Sequence, residues 1–266
     1  MKRVLLFLLI LGLMPVVAFS QKRESRPVSN FTGIDASSLF EITVTKGNTE
    51  SLEIEAGDNV LPYVRSEVHD GVLHLFLDEN YQLESIFGLK AFIVMKNLDN
   101  VSLSGACKLT ASDTFTSDKF KADCSGISNM TVNVNTGQLS VETSGGCNIA
   151  INANVTGDAK LNASGISKLW GELKASNVVF TSSGGCSFEF TGSASSFKMD
   201  VSGTSTVKAE NFTVKNAVIV SSGASQVTVN VTDRLKVNSS GATSVYYKGS
   251  PVTEFSNSEV SRVIKL

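Results

Sequence analysis

The sequence predicts an all-β protein: a parallel β-solenoid of about 19–20 residues per coil, preceded by a strand-rich N-terminal cap. Three observations carry the prediction. First, a Ser-Gly pair returns eight times, at Ser104-Gly105, Ser125-Gly126, Ser144-Gly145, Ser164-Gly165, Ser183-Gly184, Ser202-Gly203, Ser222-Gly223 and Ser240-Gly241, at intervals of 21, 19, 20, 19, 19, 20 and 18 residues. Second, apolar residues hold fixed odd offsets on either side of each serine, with polar residues between them. Third, no window in this stretch shows the three-and-four spacing of an amphipathic helix.

The repeat, residues 101–248, is where these observations meet. Three residues before the serine stand Val101, Ala122, Val141, Leu161, Phe180, Met199, Ile219 and Val237. Five after it stand Leu109, Met130, Ile149, Leu169, Phe188, Val207, Val227 and Val245. Three after it the residue is always small: Cys107, Ser128, Cys147, Ser167, Cys186, Ser205, Ser225 or Thr243. Even offsets are mostly polar, as with Lys108, Asn129, Asn148 and Lys168 four after the serine. Period-two alternation marks strands with one buried face. A unit this short cannot bury that face alone, so coils must stack and turn each inward position into a ladder of like residues. Eight such coils make a rod of about 38 Å. The eight glycines, Gly105, Gly126, Gly145, Gly165, Gly184, Gly203, Gly223 and Gly241, read as structural turn positions where the chain bends tightly or passes close to its neighbour. Lysine occupies alternate coils four before the serine, at Lys121, Lys160, Lys198 and Lys236, which spares adjacent coils a like-charge contact.

The flanks are read in chain order. Residues 1–20 predict a signal peptide, with Lys2 and Arg3 ahead of an apolar run from Val4 to Leu13 and a small-x-small site at Ala18-Phe19-Ser20. The run is shorter than the roughly 20 apolar residues of a membrane span. Its removal leaves 21 basic against 25 acidic side chains, a balance of −4 that argues against nucleic acid as a partner. Residues 21–30 are polar and predict a flexible leader. Residues 31–100 predict the cap, with strands at Leu39–Thr45, Ser51–Ala56, Val64–Val68, Val72–Asp78 and Ala91–Lys96 and turns at Gly47-Asn48 and Asp70-Gly71. Residues 249–266 carry Gly249, Pro251 and an alternating Val260–Leu266 segment that predicts a C-terminal cap; no sorting motif or second apolar span is visible there.

The segments Ser104-Gly105-Ala106-Cys107, Ser125-Gly126-Ile127-Ser128-Asn129, Ser144-Gly145-Gly146-Cys147-Asn148 and Ser164-Gly165-Ile166-Ser167 resemble the putative auto-transporter adhesin head GIN domain family of secreted Bacteroidetes proteins. The approach to the repeats resembles it too, through Phe31, Ile34, Phe40 to Val44, Lys46-Gly47-Asn48, Leu52 to Glu55 and Gly71-Val72-Leu73-His74-Leu75. The resemblance implies an exported β-solenoid of the cell envelope, in the periplasm, on the cell surface or secreted. It brings no catalytic residues. Right-handed coiling is expected from this family and from the general twist of β structure.

No residue pattern points to catalysis, to a metal or to a cofactor. His69 and His74 flank a turn without the further ligands zinc needs. The repeated serines lack the double-glycine elbow of a hydrolase. Cys107, Cys147 and Cys186 share one column two coils apart, roughly 10 Å, beyond disulfide reach. Cys124, in another column, lies within range of either Cys107 or Cys147, and buried free thiols are the expectation for the set. Trp170 and Tyr246, at one even offset, face outward and are the candidate contacts for a ligand. The function expected is therefore a non-enzymatic interaction protein that presents a Ser/Thr/Asn-rich face to a protein or glycan. The alternatives are a polysaccharide-active β-helix enzyme working from the stacked Asp123 and Glu142, and a passive envelope scaffold.

Overall fold

The computed structural model describes residues 21–81 and 88–266, so the expected signal peptide lies outside the described residues. The chain enters through β1 (Gln21–Arg26), then lays down β2 (Gly33–Ala36) and β3 (Glu41–Lys46). It leaves the stack through β4 (Ser51–Gly57), one 3-10 turn at Leu61–Tyr63, β5 (Val64–His69), β6 (Val72–Leu77) and β7 (Lys90–Met95). It comes back through β8 (Asn100–Leu103) into β9 (Lys108–Cys124).

Strand register shows what this detour builds. β2 lies in parallel between β6 and β8, and β3 lies in parallel between β7 and β9. The β2–β3 pair is therefore a coil, held between an outer coil of β6 and β7 and the first Ser-Gly coil. Antiparallel strands then close this end: β4 on β7, β1 on β4 and β5 on β6.

The expectation of a flexible leader at 21–30 is corrected here, because β1 pairs along its whole length with β4, from Gln21 opposite Gly57 to Arg26 opposite Leu52. Among the described residues β4 is its one strand partner, so its charges belong to an edge strand, where they discourage pairing with other chains. Arg23 also sits 4.1 Å from the centre of the Phe92 ring and 2.7 Å from Glu53.

Beyond β9 the coils follow in parallel register, through β10 (Asn129–Thr143), β11 (Asn148–Val155), β12 (Asp158–Gly165), β13 (Lys168–Gly184), β14 (Ser187–Val201), β15 (Thr206–Ser221) and β16 (Gln226–Ser239). The solenoid has about nine turns. All sixteen apolar residues at the two fixed offsets are buried. Midway along the stack the inward positions become aromatic. There Phe188 meets Phe180 and Phe190 at 4.5 Å between ring centres, and Phe197 at 5.8 Å.

The Ser-Gly turn explains its own sequence. The eight glycines have φ between 68° at Gly241 and 100° at Gly184, the left-handed region that side chains disfavour. A Cβ on any glycine from Gly126 onward would run into the carbonyl oxygen of the glycine one coil earlier. That oxygen is in use, since the next residue's amide donates to it: Ile127 N to Gly105 O at 2.7 Å, Ile166 N to Gly145 O at 2.7 Å and Ala224 N to Gly203 O at 2.8 Å. The small residue three after the serine closes the same ring of bonds. Ser167 Oγ donates to Gly145 O at 3.4 Å and to Ser164 O at 3.1 Å, so a larger or apolar side chain would leave these carbonyls short of a partner. The column starts at Ser38, whose φ is 78° and whose carbonyl accepts Ala106 N at 2.7 Å. Ser37-Ser38 is thus a ninth unit with serine in the glycine's place.

Residues 249–266, expected as a cap, instead continue the stack after β17 (Ser244–Lys248). β18 (Val252–Asn257) runs parallel to β16, and β19 (Arg262–Lys265) runs parallel to β17. Among the described residues no strand covers their outer edge, and Val252 and Phe255 stay 75% and 41% exposed.

Candidate interaction surface

The outward positions of β10, β11 and β13 form one continuous face. Thr131, Asn133 and Asn135 on β10 stand opposite Ala150, Asn152 and Asn154 on β11. On β13, Trp170 is paired with Ala150 and Lys174 with Asn154. Between those two pairs Gly171, at φ 141°, passes so close to the Ile151 carbonyl that a Cβ would not fit.

The inner asparagines of this face are tied down. Asn133 Nδ2 donates to Ser112 O at 2.8 Å, Asn152 Nδ2 to Asn133 Oδ1 at 2.9 Å, and Glu172 N to Asn152 Oδ1 at 3.0 Å, a line of amides across four strands. Asn135 and Asn154 beside them are exposed and make no side-chain hydrogen bond among the described residues. They border a shallow depression of about 270 Å³ with Glu172 and Lys174. The half-buried Trp170 stands between Ala150 and Glu189 in register, and Lys168 Nζ lies 5.1 Å from the ring centre. The face therefore carries an aromatic ring, two amides without a side-chain partner and a Glu172–Lys174 ion pair 2.8 Å long.

Tyr246 shares the Trp170 column, with Glu189, Lys208 and Thr228 between them. Four strand spacings, about 19 Å, separate the two rings, so they do not form one contact. The free amides and the Lys168–Trp170 contact were not singled out from the sequence. The signal for them is asparagine at the same two offsets in successive units, at Asn133 with Asn152 and Asn135 with Asn154.

A second depression, about 640 Å³, follows the outward column Asp123, Glu142, Asn162 and Thr181. Lys121 grips Asp123 at 2.8 Å, and that hydrogen bond holds the Lys121 ammonium above its ordinary pKa. The alternate-coil lysines fall in one column, Lys121, Lys160, Lys198 and Lys236, separated by Ser140, Val179 and Val218. In the outer coil His74 Nδ1 lies 3.2 Å from Asp35 and His69 Nε2 lies 3.2 Å from Glu67. Among the described residues no group of three or more His, Cys, Asp or Glu side chains is arranged to hold a metal ion. All four cysteines are buried and free.

The same architecture recurs in solved structures. A putative adhesin from Parabacteroides merdae superposes with a TM-score of 0.74 at 17% identity, over 92% of this chain and 96% of that one. A putative adhesin from Parabacteroides distasonis gives 0.73 at 19% identity over 94% and 98%. A putative lipid binding protein from the same organism gives 0.69 at 16% identity over 92% and 96%. A sequence search among curated proteins finds no match. The family model described as putative auto-transporter adhesin, head GIN domain, matches residues 30–157 and again residues 142–251, spans that together run from β2 to β17 and take in all eight Ser-Gly turns. The chain belongs to that family.

Proposed function

We propose that the protein is an exported, non-enzymatic, adhesin-like head whose β10–β11–β13 face binds a glycan at the cell envelope. The carrying observation is that the outward Trp170 on β13 shares one sheet face with Asn135 on β10 and Asn154 on β11, whose amides have no side-chain partner among the described residues and lie about four residues along the strands from the ring, about 13 Å. Sugars are recognised by aromatic contact with their C–H faces and by hydrogen bonds to their hydroxyls, and a preformed site loses little entropy on binding. Trp170 and Lys174 are four residues apart on one strand, about 13 Å, which suits an extended oligosaccharide. Membership of an adhesin-like family supports the same reading. A protein ligand is the other partner such a face could take.

The test is a glycan-array and matrix-protein screen of residues 21–266, run beside Trp170→Ala, Asn154→Ala and Tyr246→Ala. Saturable glycan binding that falls at least tenfold in the first two variants and is unchanged in the third supports the assignment. Binding that survives Trp170→Ala, or silence of a folded protein across the array, overturns it.

The acidic depression favours one rival, the polysaccharide-active enzyme, because Lys121 supplies the basic group beside Asp123 and Glu142. Turnover of an acidic polysaccharide that Glu142→Gln abolishes would establish that rival.

A further inference from the structure

We propose that Cys124 and Cys147 close a disulfide that ties two neighbouring coils together across the inside of the Ser-Gly turn. Two inward columns face each other there. One, the position before the serine, runs Ala36, Leu103, Cys124, Thr143, Ala163, Ser182, Val201 and Ser221. The other is the small residue three after the serine.

A side chain in the first column meets the second column one coil further on. Ser182 and Ser205 stand in that relation, 23 residues apart, with their Oγ atoms 3.1 Å from each other. Cys124 and Cys147 occupy the same two positions one coil apart, again 23 residues from each other, so their thiols face one another across the turn, while Cys124 Sγ donates to Ser128 O at 3.7 Å and Cys147 Sγ to Ser144 O at 3.4 Å. The same step puts Cys186 against Ala163 and Cys107 against Ala36, so neither has a thiol to pair with.

The pair is also chemically poised. The neighbouring Cys124 thiol lowers the pKa of Cys147 to about 7, while the neighbouring Cys147 and burial push Cys124 upward. Cys147 is therefore the thiolate nucleophile near neutral pH. It attacks one sulfur of a disulfide oxidant, such as glutathione disulfide or an envelope dithiol oxidase in its oxidised form, and expels a thiol. Cys124 then gives up its proton and attacks the mixed disulfide at Cys147, expelling the second thiol. The protein loses two electrons and two protons and the oxidant gains them. Since both cysteines are buried, closure belongs to the stage at which the coils assemble.

The experiment refolds the full chain from urea in a glutathione redox buffer, confirms β structure by circular dichroism, alkylates remaining thiols and maps the peptides. The expected product has lost two hydrogens, carries a Cys124–Cys147 crosslink, is alkylated at Cys107 and Cys186, and unfolds at a higher urea concentration than its reduced form. A Cys107→Ser, Cys186→Ser double variant keeps the crosslink, which guards against misfolding of the Cys124→Ser and Cys147→Ser variants that lose it. Four alkylated cysteines in the refolded protein, a lasting glutathione adduct at Cys147, or a bridge through Cys107 or Cys186 overturns the proposal.

Discussion

Substituting alanine for Gly165 separates two reasons for a glycine that usually act together. Gly165 has φ 74°, and forcing an L-residue into that region costs about 1–2 kcal/mol. Its new Cβ would also collide with the Gly145 carbonyl oxygen, which accepts Ile166 N at 2.7 Å and Ser167 Oγ at 3.4 Å. Displacing those bonds costs about 1 kcal/mol more for each bond weakened. The expected loss for Gly165→Ala is thus about 3 kcal/mol. Gly71 has nearly the same φ, 75°, but no atom within 4 Å of its would-be Cβ, so Gly71→Ala should lose only the conformational part, about 1–2 kcal/mol. Gly185 has neither a left-handed φ nor a neighbour within 4 Å, and Gly185→Ala should be neutral or stabilising by up to about 1 kcal/mol. Urea unfolding followed by both circular dichroism and Trp170 fluorescence measures all three, and coincidence of the two signals tests whether unfolding is all-or-none. Equal losses for Gly165→Ala and Gly71→Ala would show that close stacking of the turns contributes nothing.

Two other perturbations follow from the same geometry. Ser38 holds the head of the glycine column at φ 78°, so Ser38→Gly should raise stability by about 1 kcal/mol, and an unchanged or lower urea midpoint would count against the strain. Asp78 accepts hydrogen bonds from the Asn80 backbone at 3.0 Å, the Asn80 side chain at 2.7 Å and Arg65 at 2.7 Å, led by the backbone bond, and its pKa lies below the ordinary carboxylate value. Its depressed folded pKa means that its contribution is complete above the unfolded value of about 3.9 and disappears as pH falls through the folded value. The Asp78→Asn variant should therefore lose less stability on acidification below about pH 4 than the parent, and parallel acid limbs would contradict the assignment.

The eight-coil stack was legible because its signal repeats. One apolar column could be chance, whereas sixteen inward residues at two fixed offsets leave only a stacked strand architecture. The coil of β2 and β3 was hidden for a local reason. Serine stands at position 38 where every later unit has glycine, and 67 residues separate it from the next turn at Gly105. β1 was hidden because Lys22, Arg23, Glu24 and Arg26 read as a solvated tail, while on an edge strand those charges serve against aggregation. At the candidate site, parity alone placed Trp170 outward. The free amides of Asn135 and Asn154 depend on which neighbours are already bonded, and that emerges only when adjacent units are laid side by side. The thiol pair lies between those cases, since the two cysteine columns can be counted in the sequence but their meeting across the turn cannot.

The placement of β2 and β3 inside the stack sets an order of assembly. β2 must wait for a partner 39 residues later, where Gly33 meets Val72, and for another 67 residues later, where it meets Asn100. Each later coil closes on its predecessor over 18 to 21 residues. Closing 67 rather than 20 residues costs about 1 kcal/mol more in chain entropy. The capped end is accordingly the slow nucleus, and the Ser-Gly coils add to it one at a time over short loops as a growing template. A chain delivered N-terminus first would have its nucleus complete once β9 is available, and every further coil would find an edge already waiting.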